Sequence, residues 1–178
     1  MGQDDTKHNL LFISNRFFLQ LFIHEFTDAM KDRDIEIETA INGIEAAAKI
    51  KKKNYDIVIT GLSLEGYNGE QIITYLNKTA PSTVCIIYTT TISSAQLHFF
   101  INERNVFRVF LRPVDFRGAF WEALEEAYEY HAVQVKNEED TGARRQDQEK
   151  QEREIEIMDQ RMRSQRQARE TTNRYMKR

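Results

Sequence analysis

Ser14-Asn15, Gly61, Thr89 and Arg112 are the positions at which this sequence could do chemistry, because each directly follows a short apolar run. The runs are NLLFI, IVIT, TVCIIY and VFRVFL. Arg112, with the Thr89 hydroxyl and loop amides, could hold an anion through charge-assisted hydrogen bonds. Alternatively, Arg112 pairs with Glu65 on the Gly-rich loop. Other reactive side chains are scattered. His8, His24, His98 and His131 have no metal-ligand spacing and read as surface residues. Asp56 precedes its apolar run, so it belongs to the opposite end of that element. Cys85 lies inside an apolar run and reads as a small buried hydrophobe in a reducing, cytoplasmic setting.

The elements that must position these residues alternate between two periods. Asn9–Ile13, Ile35–Ala40, Ile57–Ile59, Thr83–Tyr88 and Val106–Leu111 read as strands. The IEIETA alternation suits a strand near a sheet edge. Helices are expected over Arg16–Lys31, Ile44–Lys53, Glu70–Asn77, Ser93 or Ser94 to Glu103, and from an Asp115 cap to about Val135. The first of these has a wide apolar surface, from Phe17 and Phe18 to Phe26 and Met30. Glycines at 61, 66 and 69 mark a tightly bending loop. Five strands alternating with five helices imply a doubly wound α/β fold with a five-stranded parallel sheet. In such sheets function gathers beyond the carboxyl ends of the strands.

At 178 residues the chain has room for one domain and an extension. Its organisation is expected to be a domain over 1–135, a linker over 136–145 and a charged helical tail over 146–178. A net charge of −3 and a pI near 5.9 give no global attraction to nucleic acid or anionic membrane. No run is long enough to span a bilayer, and the start is too polar for a signal peptide, although MGQDDT fits the loose myristoylation pattern. Charge in the tail is segregated. Lys136–Asp159 has five basic and nine acidic residues, and Gln160–Arg178 has seven basic and one acidic. Apolar positions such as Ile155, Ile157, Met158 and Met162 do not sustain a heptad.

Three stretches resemble the response-regulator receiver family. YDIVITGLSLEGYNG is similar to its third strand and following loop, PSTVCIIYTTT to its fourth strand and threonine turn, and INERNVFRVFLRPVD to its fifth strand and proline turn. The resemblance covers about Asn9–Tyr130 and implies a flavodoxin-like receiver fold. It also implies a cis peptide at Arg112-Pro113. In that family an acidic pair and an aspartate hold Mg²⁺, the aspartate is the phosphoryl acceptor, and a lysine stabilises the transferred charge. Laid onto this sequence, those positions hold Ser14, Asn15, Gly61 and Arg112, and only the hydroxyl residue, Thr89, is retained. The aromatic switch position holds Val109. The resemblance therefore implies a pseudo-receiver with no enzymatic activity, metal or cofactor.

The expected function is then a phosphorylation-independent interaction or adaptor module in two-component signalling, whose partner is another protein or, in a dimer, a second copy. Candidate partner-binding residues are Leu97, Phe100, Arg108, Phe110, Trp121 and Tyr128, since aromatics gather at interface centres. Two other readings are a sensor of a small anion over Arg112 and Thr89, and nucleic-acid contact by the basic end of the tail. The acidic segment and lack of interleaved aromatics oppose the last.

Overall fold

The computed structural model describes residues 8–29, 35–116 and 118–175. The MGQDDT run, Met30 and Lys31 of the first helix, and the last three residues lie outside the described residues, as do the side chains after Gln160. The chain divides into two units, Met1–Val135 and Lys136–Arg178.

In the first unit, strands β1 (His8–Ile13), β2 (Ile35–Ala40), β3 (Ile57–Thr60), β4 (Val84–Thr89) and β5 (Val106–Leu111) form one parallel sheet in the order β2-β1-β3-β4-β5. The order reverses beside β1, and IEIETA is indeed at an edge. Helices α1 (Arg16–Ala29), α2 (Gly43–Ile50), α3 (Gly69–Thr79), α4 (Ser94–Glu103) and α5 (Ala119–Tyr175) connect or follow the strands. The period-2 alternation of strand side chains separates two cores. Leu10, Phe12, Ile57, Ile59 and Ile86 pack with Leu19, Phe22 and Phe26 of α1 and Phe120 and Leu124 of α5. Leu11, Ile13, Val58, Cys85 and Ile87 pack with Ala46, Ile72, Leu76 and Phe100 of α2, α3 and α4. Burial on both faces explains why the strands read as continuous apolar runs. Burial in the second core also pushes the Cys85 thiol up to about 12, so it acts as a packing group.

Local signals set the helix starts. Asn68 and Ser93 each form a capping box, with Gln71 and Gln96 respectively. Helix α5 begins at Ala119, beyond Asp115, and the Gly118 carbonyl accepts from the amides of Trp121 and Glu122.

The expected linker at 136–145 is helical, and α5 runs on where an end near Val135 was expected. Its residues are mostly strong helix formers, and one internal glycine, Gly142, costs only about 1 kcal/mol. In the second unit every described side chain from 136 to 158 is exposed. Among the described residues, no helix is long and apolar enough to cross a membrane.

Candidate functional site

The carboxyl ends of β1, β3, β4 and β5 bring Ser14, Asn15, Gly61, Thr89 and Arg112 to one end of the sheet. Backbone bonds fix the spacing. The Ser14 amide donates to the Ala40 carbonyl at 3.1 Å, the Gly61 amide to the Ile13 carbonyl at 3.0 Å, and the Arg112 amide to the Thr89 carbonyl at 2.9 Å. The Arg112-Pro113 peptide is cis.

Arg112 dominates the space between these ends. Its Nη2 donates to the Ser14 hydroxyl at 3.4 Å and the Tyr88 carbonyl at 3.2 Å. Its guanidinium carbon lies 3.5 Å from the Phe18 ring centroid and 4.6 Å from that of Tyr88. These contacts hold the cation without a carboxylate, and the expected pairing with Glu65 is not formed. Glu65 instead gives its backbone carbonyl to the Gly43 amide at 2.9 Å. Burial lowers Arg112 from its ordinary guanidinium value, and its Nε is buried without a hydrogen-bond partner. The ring flanks were not legible, because neither Phe18 nor Tyr88 carries a spacing signal linking it to Arg112.

The other positions have structural partners. Ser14 is only 1 % exposed. The Asn15 side-chain oxygen accepts from the Phe18 amide at 3.2 Å and so caps α1. The Thr89 hydroxyl donates to the Thr91 carbonyl at 3.2 Å. Gly69 donates its amide to the Leu62 carbonyl at 3.1 Å, and a Cβ there would lie 2.2 Å from the Gly61 carbonyl oxygen. Close backbone approach therefore requires this glycine. Gly66, with φ of 81°, makes the loop's left-handed turn.

The six candidate partner-binding residues do not form one exposed surface. Phe100 is 3 % exposed and belongs to the second core, which removes it from any docking face. Leu97 and its neighbour Ile101 are 41 % and 40 % exposed. Arg108 is exposed and paired with Glu126. Phe110, Trp121 and Tyr128 are half-buried against the first core; Phe110 packs on Phe120, and the Trp121 indole donates to Glu125 at 2.8 Å. On α1 the most exposed ring is Phe17, at 67 %. A cleft lined by Lys53, Tyr55, Tyr75 and Thr83 opens at the amino-terminal edge of the sheet, away from Arg112.

Of the four histidines read as surface residues, His8, His24 and His98 are exposed, whereas His131 is half-buried. His8 and His131 both reach Asp56, at 3.4 and 3.3 Å. Residues this far apart in sequence give no spacing signal.

A doubly wound five-stranded parallel sheet, with polar groups gathered beyond its strand ends, defines a flavodoxin-like protein. The family model of the response regulator receiver domain matches residues 20–118, and the chain belongs to that family. It is thus a receiver domain of a signalling protein, in a family of two-component signal transduction. Among solved structures, it is similar to the signal receiver domain of an HD domain-containing protein from Pseudomonas fluorescens Pf-5. The identity is 20 % over 71 % of this chain and 98 % of that one, with a TM-score of 0.64. An adenylate cyclase structure from Rhodopirellula baltica is 20 % identical over 75 % and 96 % of the two chains, with a TM-score of 0.65. A CheY-like receiver domain protein from Methanospirillum hungatei JF-1 is 17 % identical over 72 % and 99 %, with a TM-score of 0.61. These likenesses concern the fold. A search of curated proteins finds no match.

Proposed function

We propose that this receiver domain works without phosphorylation, as a cytoplasmic binding module that positions or regulates another protein. The observation that supports this reading is the Arg112 guanidinium, which lies on the Ser14 hydroxyl and 3.8 Å from where a Cβ on Gly61 would stand. Gly61 offers no side-chain nucleophile, and Ser14 and Asn15 are neutral. Mg²⁺ demands hard oxygen ligands in a near-octahedral set. Here one hydroxyl already faces a cation, and the amide oxygen of Asn15 caps a helix. The residues do not fit the ion. Receiver domains act by contacting other proteins, and the exposed apolar side chains Phe17, Leu21, Leu97 and Ile101 support such contacts here.

Incubation of the full chain with a small phosphodonor and Mg²⁺, followed by intact-mass measurement, tests the proposal. The mass stays unchanged; a gain of one phosphoryl group overturns it. A second reading, a sensor of a small anion, is supported by the Arg112 Nη1 group, which has no protein partner among the described residues. A melting-temperature rise with inorganic phosphate or a dicarboxylate, lost in Arg112→Ala, favours that reading.

A further inference from the structure

At the amino-terminal edge of the sheet, groups from two elements, β1 and α5, converge on one carboxylate. Asp56 immediately precedes β3. Its Oδ2 lies 3.4 Å from Nδ1 of His8 on β1 and accepts the Asn9 amide at 3.0 Å. Its Oδ1 lies 3.3 Å from Nε2 of His131 on α5. On the other side of the same ring, His131 Nδ1 is 2.8 Å from the Ser82 carbonyl. The His8 ring also packs on Tyr128, one turn before His131, with centroids 4.3 Å apart.

Both nitrogens of His131 therefore face acceptors. A neutral imidazole donates from only one nitrogen, so one of the two contacts would set a lone pair against an oxygen. The imidazolium donates from both and satisfies this geometry.

We propose that His131 and Asp56 form a pH-sensitive clamp, which holds residues 128–135 of α5 to the sheet and loosens when His131 loses its proton. The facing groups include His8 and the Asn9 amide from β1, Asp56 before β3, the Ser82 carbonyl from the turn before β4, and Tyr128 on α5 itself. Burial acts to raise the Asp56 pKa, but the bonds from His131, the Asn9 amide and His8 outweigh it and hold the carboxyl below its ordinary value. Burial, followed by the Asp56 charge, raises the Tyr128 phenol, which stays neutral.

The signs define a window. A carboxylate with a depressed folded pKa contributes stability above its unfolded value, about 3.9, and loses it as the pH falls through the folded value. A histidine whose charged form gains partners on folding contributes at low pH and loses that contribution as the pH rises. The clamp is closed in mild acid and opens toward alkaline pH.

Hydrogen exchange on the full chain at pH 6 and pH 8, corrected for intrinsic rates, tests this. Amides 128–135 exchange about tenfold faster at pH 8, the effect of roughly one pKa unit. Asp56→Asn removes the difference, and His98→Gln on α4 leaves it intact. Equal protection at both pH values, or a difference that persists in Asp56→Asn, overturns the clamp. Should Asp56→Asn fail to fold, ring NMR of His131 in the unaltered chain decides: a midpoint above about 6.5 supports the clamp, and one at or below it overturns it.

Discussion

The Arg112 guanidinium lies over the Phe18 ring, 3.5 Å from its centroid, with Tyr88 also flanking it at 4.6 Å. A cation between two π faces gains about 0.5–2 kcal/mol per contact, depending on desolvation. That stabilisation, with the Tyr88 carbonyl and Ser14 hydroxyl bonds, offsets the cost of partial burial without a carboxylate. Arg112 is thus integrated into the end of the sheet rather than held out over the loop.

Restoring an acid at Gly61 follows from this geometry. A Cβ there meets nothing nearer than Leu64 Cδ2 at 3.5 Å. Gly61→Asp therefore folds, and its carboxylate pairs with Arg112, adding up to about 1 kcal/mol. It does not accept a phosphoryl group, because Ser14 and Asn15 remain neutral and leave Mg²⁺ without its acidic ligands. Denaturant unfolding and intact mass after phosphodonor treatment check the two halves. Phosphorylation of this single variant would show that the missing acidic pair is dispensable.

The fourth helix separates core from surface. Phe100→Ala removes a ring from the second core and costs about 3–5 kcal/mol. Leu97→Ala and Ile101→Ala each change stability by no more than about 0.5 kcal/mol. If α4 contributes to association, these two variants weaken it at unchanged melting temperature. Association unaffected by both would move the docking face to α1.

What was legible in the sequence follows from the range of the interaction involved. Strands such as IVIT are buried on both faces, so their identity is written in consecutive residues. The cap at Ser93 was among the two offered by the sequence, while the capping box at Asn68, which closes within three residues as Asn-x-x-Gln, was not singled out. The chemically poor donor set at Ser14, Asn15, Gly61, Thr89 and Arg112 was also legible, because strand ends could be located. Phe100 was not separable from Leu97, since LHFFI is apolar around more than one face and periodicity cannot choose the buried side. The Asp56 cluster was invisible for another reason: His8 and Asp56 are 48 positions apart, and only the packing of α5 brings His131 to them. The charge-rich stretch 136–145 read as a linker, yet it holds one glycine, Gly142, a weak breaker in a run of helix formers.

The edge strand predicts a specific acid response. Lys53 Nζ donates to Glu38 at 3.0 Å and Glu36 at 3.1 Å. The Lys53 bond holds the Glu38 carboxyl below its usual value, and Glu38 in turn raises Lys53. The Glu38 contribution is present above about pH 4.3 and is lost as the pH falls through its folded pKa. The Lys53 contribution is present below about pH 10.4 and is lost as the pH rises through its raised value. Glu38→Gln therefore lowers stability by about 0.2–1 kcal/mol near neutrality, a small figure because both groups are partly solvated. Melting curves of the variant and the unaltered chain converge as the pH approaches 3. Divergence on acidification would contradict the assignment.

The charged tail gives the last prediction. Its described side chains are exposed, so propensity and solvated charge, rather than a packed face, favour the helix between 136 and 158. Isolated helices are marginal in water, and Ile155, Ile157 and Met158 supply little apolar area. The sequence nevertheless places nine acids before residue 160 and seven basic residues after it. Antiparallel pairing of two copies sets opposite charges beside one another, whereas parallel pairing sets like charges together. A peptide spanning 136–178 is therefore weakly helical when dilute. Its helicity and sedimentation coefficient rise together with concentration and fall with added salt, as screening weakens the pairing. Circular dichroism and sedimentation across a concentration and salt series measure both. A fully helical monomer, unchanged by salt, would make the tail a solvated spacer, while a weakly helical monomer at every concentration would transfer the complementary charges to a different protein.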